Sequence, residues 1–378
     1  MSVIYSGDGI TFGDGSVTTS GWTGFKNRII NGAMTFAQRA TSNSSVGTSS
    51  YTTLDRWALD TRINASPTGS YTFAQSTDAP AGFLNSASIT VTTAGNSLAS
   101  GYALQLCHFI EGNNIADLAW GTASAKTVTL SFWVKSSITG TWAVGILNAG
   151  YDRSYVATYT INSANTWEYK TITIPGCPSG SWNTTIGRGI QIKFSLGSGT
   201  NYQTASPNTW LSGAEYEDVA TKPFWNTTGA TFLITGVQFE VGSAASSFEY
   251  RPYGVELHLC ERYYQVLPPM NQHCGYNVQS GQYVDVRTPF RTAMRDAANG
   301  TVVLATTYPN GVHYYGTSLS GSASNITRVS ASISDNSDGG TYVGLKKYNT
   351  AWLQTRYSIT DTSAREIINY NVIVDNEI

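Results

Sequence analysis

From about residue 26 to 251, apolar and polar positions alternate in one short run after another. Segments 87–95 (SASITVTTA), 126–137 (KTVTLSFWVKSS), 141–150 (TWAVGILNAG), 154–162 (SYVATYTIN) and 166–176 (TWEYKTITIPG) carry the pattern, and 188–199 and 230–242 continue it. In 127–135, Val128, Leu130, Phe132 and Val134 fall on one face and Thr127, Thr129, Ser131, Trp133 and Lys135 on the other. That predicts an antiparallel strand with a buried face, a polar exterior and one exposed or edge-packed Trp. Turn residues recur every eight to fifteen positions, so this region reads as a two-sheet jelly-roll sandwich. Residues 266–378 supply a second series of strands, at 282–290, 301–309, 312–321, 326–335, 339–348, 352–360 and 367–378, enough for a smaller sandwich.

One stretch breaks the rhythm. In FEYRPYGVELHLCERYYQ (248–265), Val255, Leu259 and Tyr263 are spaced by four, as are Cys260 and Tyr264. Two adjacent stripes of this kind make one broad helical face. Glu256, Glu261 and Arg262 take the wet side, and Pro252 and Gly254 punctuate just before the helix. At the other end of the chain, Ile10–Phe12 and Ser16–Thr18 flank Asp14-Gly15, a hairpin signal. The predicted fold class is all-β: two antiparallel jelly-roll-like sandwiches (26–251 and 266–378), one amphipathic linker helix (252–265) and a short N-terminal β segment (1–25). That segment is too small to bury its own apolar side chains. It needs the next domain or copies of itself from other chains.

Composition narrows the function classes. Only 12% of residues are charged, 41% are hydrophobic, and the formal net charge is -2. This disfavours disorder, and the lack of a basic run disfavours nucleic acid as a partner. The first twenty residues contain no basic and then apolar leader pattern, so Cys107, Cys177, Cys260 and Cys274 read as reduced thiols of a protein assembled in a cytosol. The Asn-x-Ser/Thr triplets at Asn183, Asn226 and Asn325 then read as by-products of composition.

Six segments in order resemble bacteriophage tail-fibre proteins. GITFGDGSVTTS (9–20) is similar to segments that begin the exposed parts of such fibres. FKNRIINGAMTFAQRATS (25–42), with Asn27, Ile30, Asn31, Gly32, Gln38 and Arg39, resembles the opening strand of the family's sandwich, although Ala40 stands where a Gly often follows the Gln-Arg pair. LDRWAL (54–59), LSFWVKSS (130–137), ITGVQFEVGS (234–243) and FEYRPYGVELHLCERYY (248–264) extend the likeness to about residue 264, and only loose echoes follow. The family implies a homotrimeric virion tail appendage, joined to other tail proteins through its N-terminus and touching a host surface glycan or outer-membrane receptor. Its sandwich also resembles carbohydrate-binding modules.

Candidate chemistry is sparse. Glycan cleavage needs two carboxylates flanking the scissile bond, and the clearest acidic group, Glu215, Glu217 and Asp218 in GAEYEDVA, reads as a solvated loop. Glu240 lies on the polar face of its strand. It calls for a structural partner such as Arg or Lys, or for Ca²⁺, the one metal left open; no other cofactor is expected. Asp55-Arg56-Trp57 reads as an internal hydrogen-bonded anchor. A zinc site from His258, Cys260, His273 and Cys274 is disfavoured, because positions i and i+2 of a helix face apart. Aromatics in loops are the better candidates, since sugar rings lie on Trp and Tyr faces. These are Tyr202, Trp210, Tyr216 and Trp225 in 199–229 and Trp182 in 176–185, with Tyr314 and Tyr315 in the C-terminal domain. Each has packing as its alternative role. The expected function is host binding without catalysis. The alternatives are a glycan-depolymerising tailspike and a head fibre or capsid-decorating protein.

Overall fold

A computed structural model describes residues 25–267 apart from 46–50, 63–68, 97, 214 and 221, together with 290–295 and, as backbone, short strands on either side. The chain divides into two compact units, Met1–Tyr253 and Gly254–Glu377. It opens with a three-stranded antiparallel sheet, β1 (Ile4–Ser6), β2 (Gly9–Thr11) and β3 (Val17–Thr18), in which Ile10 pairs with Thr18 and Thr11 with Val17. The Asp14-Gly15 signal thus lies between paired strands.

The sandwich follows, with β4 (Ser42–Ser45), β5 (Trp57–Arg62), β6 (Ser70–Ser76), β7 (Ser86–Thr93), β8 (Ala103–Glu111), β9 (Val128–Ser136), β10 (Gly140–Asn148), β11 (Arg153–Ile161), β12 (Glu168–Ile174), β13 (Arg188–Ser198), β14 (Trp210–Ser212) and β15 (Thr231–Val241). One antiparallel sheet runs β14-β11-β10-β13-β8-β5 and the other β12-β9-β15-β7-β6-β4. Their inner faces meet in one core. Trp57, Leu106, Trp142, Val144, Ile192 and Phe194 come from the first sheet; Ile89, Leu130, Phe132, Val134, Phe232 and Phe239 come from the second. Phe132 touches Phe194 edge-on at 5.1 Å between ring centroids, and Trp142 meets Phe232 at 5.1 Å, so interdigitated aromatics lock the layers together.

Three expectations need correction. Residues 25–41 form no strand; they are an irregular, largely buried strap along β15. Asn27 takes the place of a ladder: its Nδ2 donates to the Val237 carbonyl at 3.1 Å, and its Oδ1 accepts from the Ile29 and Phe239 amides at 3.0 Å each. Asn31 (φ 59°) and Met34 (φ 57°) are left-handed, which an extended strand excludes. The strap runs so close that a Cβ on Gly32 would lie 2.3 Å from the Val237 carbonyl oxygen. Second, the outer faces are less polar-and-wet than expected: Thr129, Ser131 and Gln238 are buried, under the segment 242–249 that follows β15. Third, the helix α1 spans Tyr253–Glu261, so Gly254 lies inside its first turn, and Tyr263 lies beyond its end. Glu261 is buried rather than wet, because Arg291 pairs with it at 2.6 Å.

The second unit continues with β16 (Tyr264–Leu267), β17 (Gln272–His273), β18 (Tyr283–Pro289), β19 (Thr301–Ala305), β20 (Val312–Gly316), β21 (Gly344–Tyr348), β22 (Trp352–Ser358), β23 (Ala364–Ile368) and β24 (Asn371–Asp375). They pair as three antiparallel sheets, β16-β24-β19, β17-β23-β20 and β18-β22-β21. The expected strand at 326–335 lies outside the described residues. The fold class is the one read from the alternation: all-β, two antiparallel sandwiches, one helix and an N-terminal β segment. No helix among the described residues is long and apolar enough to cross a membrane. Cys107, Cys177 and Cys260 are buried; Cys274 lies outside the described residues.

Candidate functional site

The loop aromatics divide into three groups. Trp182 and Trp210 come together with Trp120: centroids are 4.7 Å apart for Trp120–Trp182, 5.3 Å for Trp120–Trp210 and 5.7 Å for Trp182–Trp210, all edge-on. Each indole NH donates to a backbone carbonyl, Trp120 to Lys126, Trp182 to Ser179 and Trp210 to Pro175. The three rings staple their loops to one end of the sandwich. Trp225 is separate and buried, lying over Gly95 and Gly69, where a Cβ would collide with its ring. Tyr202 and Tyr216 are half-buried in 199–222, where the Tyr202 carbonyl accepts from the amides of Glu217 and Asp218. Tyr314 and Tyr315 belong to β20, and their side chains lie outside the described residues.

Segment 199–222 is a cap, not a solvated loop. It crosses the outer face of the first sheet so closely that a Cβ on Gly145 would lie 3.0 Å from the Glu217 Cα. Glu217 and Asp218 are buried because lysines neutralise them. Lys193, fully buried on β13, donates to Glu217 at 2.6 Å and Glu215 at 2.8 Å. Lys222 donates to Asp218 at 2.5 Å, and Ser195 donates to the other Asp218 oxygen at 2.5 Å. Burial drives the Lys222 ammonium down from its ordinary value, and Asp218 pulls it back only in part. These carboxylates serve as counterions and hydrogen-bond acceptors for the cap.

Glu240 is held by donors other than Arg or Lys: Gln238 Nε2 at 2.8 Å, the Ser246 amide at 2.8 Å and the Ser246 hydroxyl at 2.6 Å. Among the described residues no group of three or more His, Cys, Asp or Glu could hold a metal ion. Asp55-Arg56-Trp57 is the internal anchor read from the sequence. Asp55 accepts from the amide and side chain of Gln38, Arg56 donates to the Phe109 carbonyl at 2.5 Å, and Trp57 donates to the Asn31 carbonyl at 3.0 Å.

The open aromatic surface lies elsewhere, on the outer face of the second sheet. Strand β12 is an edge strand paired with β9, and Tyr169 stands opposite Trp133. Because strand side chains alternate, Trp167 just ahead of β12 and Tyr169 share that face, as do Trp133 and Lys135 on β9. Trp133 and Tyr169 rings lie 5.3 Å apart at 46°. Tyr169 is 44% exposed, and Trp133 and Trp167 are half-buried. Asp78, from the β6–β7 loop, binds the rim: it accepts from Lys135 Nζ at 2.7 Å and from Trp167 Nε1 at 3.0 Å. Those partners, Lys135 first, hold its carboxyl below the ordinary carboxylate value against the opposing effect of burial. Three aromatic rings beside a polar rim can take the C–H face of a sugar while the rim meets its hydroxyls.

The sequence marks Trp133 as exposed or edge-packed, and it packs half-buried against Tyr169; Trp167 and Tyr169 were not singled out. Their signal is in TWEYKTITI, where Trp167 and Tyr169 fall two residues apart on a predicted strand. Asp78 carries no local signal, since only tertiary folding brings it to Lys135.

No family model matches the chain, and no curated relative matches it. Solved structures do share part of its shape. The enzymatically active domain of bacteriophage CBA120 tailspike protein 4 is 13% identical with a TM-score of 0.30, covering 57% of this chain and 21% of that one. A CBM4 structure is 16% identical with a TM-score of 0.28, covering 56% of this chain and 98% of that one. A family 11 carbohydrate-binding module from a Clostridium thermocellum cellulase is 13% identical with a TM-score of 0.26, covering 54% and 100%.

Proposed function

We propose that the chain is a non-catalytic virion tail-fibre protein that holds glycan on a host surface. The observation that carries the glycan part is the solvent-facing set of Trp133, Tyr169 and Trp167 with Asp78 and Lys135 at its rim. The non-catalytic part is supported by the carboxylates. Glu215, Glu217 and Asp218 are bound to lysines, and Asp78 beside the aromatic set is tied to Lys135 at 2.7 Å. A glycosidase instead needs a carboxyl pair free to exchange protons across a bound sugar.

The virion and trimer parts extend the sequence resemblance. In this reading the first twenty-five residues dock or trimerise the fibre, and 266–378 is the part that meets the host. A single shallow sugar site is weak, on the order of millimolar, but linked copies raise avidity by about 10²–10⁴. A threefold appendage supplies such copies.

Two measurements test the proposal. Light scattering on the purified chain should give a trimer, and a monomer at micromolar concentration overturns the assembly. On a glycan array the protein should bind and Trp133→Ala should lose most of that binding. An unchanged profile for the variant moves the site off this face. Release of new reducing ends from host polysaccharide overturns the non-catalytic reading.

A further inference from the structure

We infer that the aromatic surface continues across β15 to Phe83, Phe248 and Tyr250, and that the site takes a linear, neutral oligosaccharide lying across the strands. This rests on the glycan reading above and adds the length and charge of the ligand.

The continuation is built into a bulge. Pairing of β15 with β9 slips between Thr235 and Gln238, and Thr235 is the residue opposite Trp133. Gly236, next in the bulge, has φ +61°, and a Cβ there would lie 2.6 Å from the Phe83 ring. The bulge therefore needs glycine twice: for its backbone conformation and to let the Phe83 ring down onto the strand. Phe83 contacts Phe248 at 5.1 Å and Tyr250 at 5.5 Å, and Phe248 meets Tyr250 at 4.8 Å. A cluster that served the fold alone would bury its rings. Here Tyr250 is 59% exposed and the neighbouring Leu84 82% exposed.

From β12 through β9 to β15 is two inter-strand steps, ~10 Å. Tyr169, Trp133 and Phe83 stand on or over three successive strands. A single sugar ring covers only one such step, so the layout suits a chain of linked rings. Charge complementarity sets the class. Lys135, the lysine on this face of β9, is already matched with Asp78 at 2.7 Å. A carboxylate or sulfate on a ligand over Trp133 and Tyr169 would have to displace Asp78 from Lys135, which a neutral chain need not do. The Tyr250 hydroxyl donates to the Gly82 carbonyl at 2.6 Å, which fixes the ring and leaves its oxygen to accept from a sugar hydroxyl.

The test uses the full chain on an array of neutral and uronate-containing oligosaccharides from one to six residues, with calorimetry on the best series. Binding should strengthen with length up to about four residues, and neutral chains should bind more tightly than uronate chains of the same length. Tyr250→Ala should weaken the long ligands about tenfold while leaving the shortest bound ligand unchanged, and Tyr250→Phe should stay within about twofold. Leu84→Glu, at a position too exposed to threaten folding, should also weaken the long ligands. Length-independent binding, or long-ligand affinity untouched by both Tyr250→Ala and Leu84→Glu, overturns the extended site while leaving glycan recognition intact. Preference for uronate chains overturns the neutral class. Binding to no glycan at all overturns the functional reading beneath it.

Discussion

Lys193 offers the sharpest test of how the cap is held. Its ammonium is fully buried on the outer face of β13, 2.6 Å from Glu217, 2.8 Å from Glu215 and 3.8 Å from Asp60, with the Tyr151 ring at 5.3 Å. Lys193→Met keeps most of the side-chain volume but removes the ammonium that the fully buried Glu217 carboxylate meets at 2.6 Å. Stranding one partner of a buried pair costs about 3–5 kcal/mol. For a domain of this size that corresponds to a fall in melting temperature of roughly 6–20 °C. Replacing both partners with apolar residues, Lys193→Met with Glu217→Leu, removes the stranded charge as well. Glu215 is 16% exposed at its side chain and can turn to water. The double variant should therefore recover to within about 1 kcal/mol of the parent. Urea unfolding followed by Trp fluorescence reads this out, since eight of the ten tryptophans fall between Trp57 and Trp225. A cost below ~1 kcal/mol for Lys193→Met, or a double variant no better than the single one, would refute the assignment of Lys193 as the cap's buried counterion.

Three further outcomes follow from other contacts. Gly32→Ala should destabilise the sandwich by about 2–3 kcal/mol, because the added methyl meets backbone, the Val237 carbonyl, which cannot rotate away; thermal melting checks it. His108 is buried against Ile30, and burial, reinforced by Arg56 and Arg251, holds its imidazole well below the ordinary value of 6.5. Because the folded value is depressed, its contribution is complete above pH 6.5 and erodes as the pH falls below it, by at most ~1.4 kcal/mol per pH unit. His108→Gln should flatten the slope of melting temperature between pH 6.5 and 5. Glu168 is the opposite charge type with the same sign. Burial alone would raise it, but the Lys170 ammonium and the Ser163 and Asn162 donors bring it down to about 2. Its contribution is then complete above its ordinary 4.5 and lost as the pH falls toward 2. Glu168→Gln should cost no more than about 1 kcal/mol at pH 7 and remove part of the acid dependence below pH 4.5 in chemical denaturation.

Seven strands of the sandwich were legible because their alternation survives in sequence, and β9 is the clearest case. β13 is buried on both faces and was still legible, because its residue types alternate in GIQIKF; β8 was not. In β8, Leu104, Leu106 and Ile110 face the core, yet Gln105, Cys107 and Glu111 on the other side are buried as well, so the contrast that marks a half-buried strand is weak. The strap 25–41 was misread as a strand for a related reason. Its apolar residues meet the core, but Asn27 side-chain bonds replace a ladder, and no local pattern distinguishes the two. Polar burial was the other blind spot. Glu217 and Asp218 look like surface residues until Lys193 and Lys222, twenty-four and four residues away, are seen to neutralise them.

The same logic explains why the open aromatic face is not where loop composition pointed. A loop rich in Trp and Tyr must place those rings somewhere, and the cheapest place beside a sandwich is the uncovered end of its own core. Trp182 and Trp210 go there, with each indole NH satisfied by a carbonyl. Strand residues have no such freedom. Register fixes Tyr169 opposite Trp133, and alternation forbids either from turning into the core that Phe132 and Val134 already fill. Rings pinned to the solvent face of an edge strand stay open unless another element covers them; the β6–β7 loop reaches over through Asp78 and Phe83 and still leaves Tyr169 44% exposed. An aromatic set held open by strand geometry, with its neighbouring charges paired, is preorganised for a ligand that stacks and hydrogen-bonds but carries no charge.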